Sequence, residues 1–272
     1  MTKQHAPTLR QKVIQAAKDA DVPVDDWDRA QVLGQLAGLL AAHPSIAGRI
    51  AFKGGAIMHL IDGSPRLSRD LDGALVSGGR VSEATIREAL GTDAAKRVVI
   101  RVERFVTTSP DSILFQVIAC RPPSGRGGEV GVQLSINWLA PLHLRAEPRT
   151  VEINGQDVTF LVVAHLERVA EKLRAFVVRG RAGDAFDLYY FDMTGIAKRD
   201  RARLPELVAA KLGEDPDVPA GVSLPTRFDA FLEELGSAWL TSPLILKGPR
   251  PSWDEVKPAA ETFRQYLPEQ KP

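Results

Sequence analysis

Asp70 and Asp72 lie two residues apart in the stretch FKGGAIMHLIDGSPRLSRDLDGALV (52–76), and this pair is the clearest chemical feature of the sequence. Alternate residues of an extended strand share a face, so both carboxylates point one way while Leu71 points into a core. Carboxylates this close repel each other, and a cation between them relieves the repulsion. Magnesium suits the role, with manganese as the substitute. It is a hard ion that takes carboxylates together with phosphate oxygens, and it neutralises charge developing on phosphoryl groups. Upstream, Gly54 and Gly55 precede an apolar run. Glycines allow close backbone approach to a ligand, and a helix N-terminus offers free N–H groups to an anion. Lys53 adds a point charge, and the Ser68 hydroxyl is a donor for a phosphate oxygen. A triphosphate cradle and metal-binding acids thus fall within about twenty residues of chain. No Gly-Lys-Ser/Thr follows the glycines, so this is not a P-loop, and the third glycine of a dinucleotide fingerprint is missing.

A DxD pair alone is common and usually solvated; the combination Gly-Gly, apolar helix, Ser-x-Asp-x-Asp and strand is far more specific. Other candidates have dull readings. The five histidines (His5, His43, His59, His143, His165) show no metal-ligand spacing on one helix. His59 follows the glycines but reads as a packed or surface side chain. Ser68 lacks the Gly-x-Ser-x-Gly elbow of hydrolases. Trp27, Trp138, Trp239 and Trp253 read as packing residues.

The elements around the pair follow from periodicity. Residues 8–20 and 28–42 have helical spacing, separated by DVPVDD. Residues 54–62 form a short helix opened by the glycines, 70–76 a strand, SGGR a turn, and 82–90 a helix capped by Ser82. Four β-branched segments follow (RVVIRVERFV, SILFQVIACR, EVGVQLSINW, TVEINGQDVTFLVV), with Asn154-Gly155 a hairpin signal. From 164 the pattern is helical. Leu166, Val169, Leu173, Phe176 and Val177 share one face, a second helix stops near Gly195, and three more lie in 200–267. The chain therefore reads as α+β, with a mixed sheet of four or five strands flanked by helices and a helical C-terminal region. The expected division is 1–160 for the α/β core and 161–272 for a helical region that completes the active-site cleft.

Composition sets outer bounds. With 272 residues there is material for a large core, and a net charge of +1 gives no global pull toward nucleic acid or membrane. The single Cys120 excludes an internal disulfide and fits a reducing cytosol. The N-terminus lacks the apolar region of a secretory signal, and no apolar run is long enough to span a bilayer. A cytoplasmic protein without membrane contact is expected.

KGGAIMHL…RLSRDLDGAL resembles the first motif of the DNA polymerase beta-like nucleotidyltransferases. More specifically, it resembles the AbiEii/AbiGii nucleotidyltransferase toxin group, including its MenT-like members, which typically read LKGG…R-x-S-x-D-L-D. About a hundred residues on, EKLRAFVVRGRAGDAFDLYYF is similar to that group's second signature, EKL-x-A…R followed by RD-x-x-DL. The likeness covers roughly residues 30–195. It implies a nucleotidyltransferase fold, with Asp70 and Asp72 on the metal and Lys53, Gly54, Gly55, Ser68 and Asp187 on the nucleotide. It also implies Lys172 at a phosphate or the reacting hydroxyl, with Asp184 beside it. The implied reaction moves a nucleoside monophosphate from an NTP to an acceptor hydroxyl and releases pyrophosphate. The implied setting is a toxin–antitoxin pair, with a tRNA 3′ end as acceptor and a cognate antitoxin as partner. The other readings are transfer to a small molecule or protein hydroxyl, and an inactive nucleotide-binding interaction module. Two positions depart from the pattern. Gln133 or Ser135 stands where a third carboxylate is expected, and Gly183 replaces an arginine for which Arg181 is the substitute. Arg168, Lys172, Arg174, Arg179 and Arg181 form a candidate basic strip for RNA phosphates, or else an ordinary solvated face.

Overall fold

The structure, a computed structural model, describes residues 7–76, 80–109, 112–137, 141–153, 155–195 and 201–272. It divides into two compact units: Met1–Pro141 with Ala146–Val162 and Ile245–Gly248, and Leu142–Arg145 with Val163–Leu244 and Pro249–Pro272.

The first unit is built on a seven-stranded mixed sheet: β1 (Ile50–Lys53), β2 (Asp70–Leu75), β3 (Val99–Ser109), β4 (Ser112–Cys120), β5 (Val130–Asn137), β6 (Glu147–Ile153) and β7 (Gln156–Val162). The spatial order is β3-β4-β5-β2-β1-β7-β6. The α+β class is as expected, but there are more strands than the four or five read from the pattern. β1 has four residues, too few to show alternation beside the glycines that follow. The segment read as TVEINGQDVTFLVV is two strands, with Ile153 opposite Gln156. Gly155 takes φ +79° in the connecting turn, whereas Asn154 lies outside the described residues, as do residues 77–79 of the expected SGGR turn and Trp138.

Helices α1 (Leu9–Asp19), α2 (Val24–Ala42), α3 (Gly54–Asp62) and α4 (Glu83–Leu90) accompany this sheet. Thr8 closes a capping box on α1, and Ser82 accepts from the Thr85 N–H to cap α4. α2 lies close against the β6–β7 hairpin because Gly34 and Gly38 carry no side chain. A Cβ on Gly34 would come within 2.7 Å of Ile153, and one on Gly38 would overlap Val158. The core gathers Leu33, Leu36 and Leu40 of α2 with Phe52, Leu71, Leu134, Ile136 and Phe160 of the sheet. This slab of burial fixes which face of each central strand looks outward.

The second unit is helical: α5 (His165–Arg179), α6 (Ala182–Met193), α7 (Leu204–Glu214), α8 (Leu224–Ala238) and α9 (Trp253–Glu261). The apolar stripe expected on α5 is buried, with Val169, Leu173, Phe176 and Val177 all fully enclosed. Phe176 meets Phe228 of α8 edge-on at 4.9 Å. The segment Ile245–Gly248 belongs to the first unit, where Leu246 bridges to Arg66 and the Leu67 N–H donates to Ile245 O at 2.9 Å. Among the described residues no helix is long and apolar enough to cross a membrane.

Candidate active site

In β2 the burial alternates: Leu71 is fully enclosed, while Asp70 and Asp72 are half-buried on the opposite face. Strand spacing puts the two side chains about 6.6 Å apart. At an effective dielectric constant of about 20, two unit charges at that separation repel by about 2.5 kcal/mol. That penalty is what a bound cation would offset.

The neighbours of the pair are set by register. β1 runs antiparallel to β2 with Lys53 opposite Asp72, so the ammonium stem leaves on the face that carries the acids. The chain then turns directly into α3, whose N-terminus has no side-chain cap. Gly54 makes that turn possible in two ways. Its φ is +80°, and a Cβ there would overlap Asp72 Oδ2 and lie 3.2 Å from Asp72 Cβ. Gly55 has a different reason to be glycine: a Cβ would run into the Arg66 guanidinium, with Cζ at 3.0 Å. Arg66 therefore lies over the first turn of α3, where guanidinium and helix dipole both present positive potential.

Sequence reasoning does not single out Arg66. The signal is the two-residue spacing Arg66, Ser68, Asp70, Asp72, which extends the strand alternation back into the preceding loop. That loop is held by its neighbours: Arg66 N–H donates to Ser64 Oγ at 3.3 Å, and Lys247 N–H donates to Pro65 O at 2.9 Å. Ser68, expected at a phosphate, is turned to the backbone of Asp70. Its Oγ donates to Asp70 O at 3.3 Å and accepts from Asp70 N–H at 3.4 Å. His59 is a packing residue, as expected. Its Nδ1 lies 2.8 Å from Ser64 O, its ring meets Trp27 edge-on at 6.3 Å, and burial lowers its pKa.

β5 lies parallel to β2 with Gln133 beside Asp70 and Ser135 beside Asp72. These are the positions where the family pattern places a third carboxylate, and neither is acidic. Among the described residues, no group of three or more His, Cys, Asp or Glu is placed to hold a metal ion. Two carboxylates are nonetheless an adequate protein share for magnesium, which keeps waters and takes substrate phosphates for its remaining positions. The residues present fit that ion.

Lys172, Asp184 and Asp187 come together within the second unit. Lys172 Nζ lies 2.8 Å from Asp187 Oδ2 and 3.3 Å from Asp184 Oδ1. Arg179 grips Asp184 in a fork, Nε to Oδ2 at 2.7 Å and Nη2 to Oδ1 at 2.9 Å. Both aspartates are buried, Asp187 completely. The helix pair explains the spacing: α5 ends at Gly180 (φ +58°), and α6 starts two residues later, its first turn carrying Asp184. The arginine that holds Asp184 is Arg179. Glu167 is not the partner of Lys172. It accepts from the His143 and Leu144 N–H groups at 3.0 and 2.9 Å and pairs with Lys211 at 2.6 Å.

The proposed basic strip is largely committed inside this unit. Arg168 is buried and donates to Val163 O, Arg174 pairs with Asp215, and Lys172 and Arg179 hold the aspartates.

Comparison with known proteins follows the same lines. The model of the family described as "Nucleotidyl transferase AbiEii toxin, Type IV TA system" matches residues 38–267. Comparison with curated proteins finds no match. Among solved structures, the fold resembles MenT4, a nucleotidyltransferase toxin from Mycobacterium tuberculosis (TM-score 0.50, 22% identity, 75% of this chain and 70% of that one). It also resembles JHP933 from Helicobacter pylori (TM-score 0.55, 15% identity, 88% and 92%). A further likeness is to a nucleotidyltransferase structure from H. pylori (TM-score 0.53, 15% identity, 86% and 90%). The likeness extends past residue 195, beyond the 30–195 span of the sequence resemblance. The chain belongs to the AbiEii family of nucleotidyltransferase toxins of type IV toxin–antitoxin systems.

Proposed function

We propose that this toxin is a magnesium-dependent enzyme of the cytoplasm that transfers a nucleoside monophosphate from an NTP to a tRNA 3′ end, blocking translation and growth until its cognate antitoxin restrains it. The observation that carries this reading is the Asp70–Asp72 face of β2 directly beside the glycine-opened start of α3. Asp70 and Asp72 hold the metal, which supplies charge neutralisation at the phosphoryl oxygens when bound. Lys53, Arg66 and the N-terminal amides of α3 bind and orient the triphosphate, since each presents positive potential at the same end of the sheet. Ser68 keeps Asp70 at its angle through the backbone bonds described above. Within the second unit, the charge and position of Lys172 are set by Asp184 and Asp187. Attack of the acceptor hydroxyl at the α-phosphorus forms the new phosphodiester, and pyrophosphate leaves with the electron pair of the broken bond.

A type IV toxin that transfers nucleotides needs an acceptor with an accessible hydroxyl, and single-stranded RNA ends offer one among unstacked, readable bases. Label transfer from each α-³²P ribonucleotide to total bacterial RNA, with magnesium, tests this. Wild type should label a tRNA-sized band and Asp70→Asn should not. Toxic wild type that leaves RNA unlabelled would overturn the RNA acceptor and point to a protein or small-molecule hydroxyl.

A further inference from the structure

The loop that joins β4 to β5, RPPSGRGGE (121–129), contributes no residue to the site described above, yet its position and construction set it apart. β5 runs parallel to β2 with Gln133 level with Asp70, so the loop emerges at the sheet end where β2 begins and α3 starts. Val130 lies three residue steps before Gln133, or about 10 Å along the strand. Arg121 and Arg126 are exposed, and neither side chain makes a hydrogen bond or ion pair with the described residues. Arg10, at the start of α1, is exposed in the same way and lies over Gly125, whose added Cβ would sit 3.8 Å from Arg10 Cδ. Nearby acids do not neutralise these three cations: Glu129 is paired with Arg101, and Asp26 with Arg29.

The loop is exposed but held. Asp28, fully buried on α2, accepts from Ser124 N–H at 2.8 Å and from Ser124 Oγ at 2.5 Å, and Ser124 Oγ in turn accepts from Arg126 N–H at 3.1 Å. Burial raises the Asp28 pKa, which marks this anchor as unfavourable to build for the sake of packing alone. Gly125 (φ +62°) and Gly127 (φ +70°) shape the turn, and space around Gly127 and Gly128 is open, so their backbone is accessible.

We propose that Arg10, Arg121 and Arg126, set on the Asp28-anchored loop, form the phosphate-binding surface for the acceptor RNA and engage the strand 5′ of its reacting end. The inference rests on the RNA-acceptor reading above. Three unpaired guanidiniums at the sheet end where β2 begins match the repeated phosphates of a strand whose terminal hydroxyl reaches Asp70 and Asp72. The α5 strip cannot do this work, because four of its five cations are engaged within their own unit.

The test uses the full chain with all three arginines changed to glutamine (Arg10→Gln, Arg121→Gln, Arg126→Gln) and fluorescence anisotropy with labelled tRNA across a salt series. The triple variant should bind tRNA about tenfold or more weakly. The slope of log affinity against log salt should become shallower by about 2, since each lost single-strand phosphate contact removes about 0.7. KM for tRNA should rise while KM for the NTP and kcat at saturating tRNA stay at wild-type values. Wild-type affinity and slope in the triple variant, with wild type still labelling RNA, would overturn this surface and leave the RNA-acceptor reading standing. Wild type that labels only a non-RNA acceptor would overturn both. Should the triple variant fail to fold, Arg126→Glu, in open solvent, gives the same reading alone: a slope shallower by about 0.7 or more supports the surface, and an unchanged slope refutes it.

Discussion

Replacing Gly54 with alanine separates the backbone strain of a left-handed residue from displacement of Asp72. Two effects combine at this position. A non-glycine residue at φ +80° costs about 1–2 kcal/mol. The added Cβ also overlaps Asp72 Oδ2 and lies 3.2 Å from both Asp72 Cβ and Cγ. Rotating the carboxylate relieves only the first of those overlaps, so β2 or the start of α3 must shift. Gly48 is the matched control: its φ is +72°, and nothing lies within 4 Å of where its Cβ would be. Gly54→Ala and Gly48→Ala should therefore share the backbone cost, each losing about 2–4 °C of Tm per kcal/mol. They should differ in chemistry. A misplacement of about 1 Å at a reacting centre costs about a hundredfold in rate, so Gly54→Ala should transfer nucleotide about 10²-fold more slowly, with Gly48→Ala within about twofold of wild type. Thermal melting with label transfer under saturating NTP reads both quantities. Transfer by Gly54→Ala as fast as by Gly48→Ala would refute the claim that Gly54 exists to let Asp72 stand where it does.

Lys172→Met strips the ammonium from fully buried Asp187, and urea denaturation should show a loss of about 3 kcal/mol; a change under about 0.5 kcal/mol would refute the ion-pair account. Burial pushes the Cys120 thiol up to about 12, so iodoacetamide at pH 8 should leave the native protein unmodified and alkylate it once urea unfolds it. Burial lowers the His59 pKa, so the stability due to its neutral ring is present above about 6.5 and lost as pH falls through the lowered folded value; His59→Gln should flatten that part of the melting-temperature profile. Ser135→Asp puts a third carboxylate beside Asp72 at about the 4.8 Å strand spacing. After solvent screening its repulsion should lower stability in EDTA by about 1–3 kcal/mol, and magnesium or manganese should restore it; a melting temperature insensitive to metal would refute the placement.

The parts of the fold legible in the sequence were those whose local pattern and burial agree. α2, α5 and β2 announce themselves because one face of each is continuously apolar and the structure buries that face. β1 was illegible: four residues cannot display a period, and its strand character comes from pairing with β2 on one side and β7 on the other. The role of Ile245–Gly248 was hidden for a related reason. A lone backbone bridge to Arg66 depends on where the chain returns in space and leaves no composition signal. At the site, the facing of Asp70 and Asp72 followed from strand alternation alone. The partners of Lys172 did not, because helical spacing offered Glu167 and Glu171 equally well and only the α5–α6 turn decides for Asp184 and Asp187.

The near-zero net charge conceals a division that only the structure displays. In the second unit, the buried carboxylates are matched with cations inside the fold: Lys172 with Asp187, Arg179 with Asp184, Lys211 with Glu167, Arg174 with Asp215. In such buried pairs each charge answers the desolvation of the other, and little positive potential is left to reach solvent. In the first unit, Arg10, Arg121 and Arg126 have no such partners, and they cluster at the sheet end that carries Asp70 and Asp72. A chain with a net charge of +1 can therefore still attract a polyanion at one place. Local attraction of that kind orients a polyanionic strand without the sequence-independent grip along its length that a uniformly basic surface would exert.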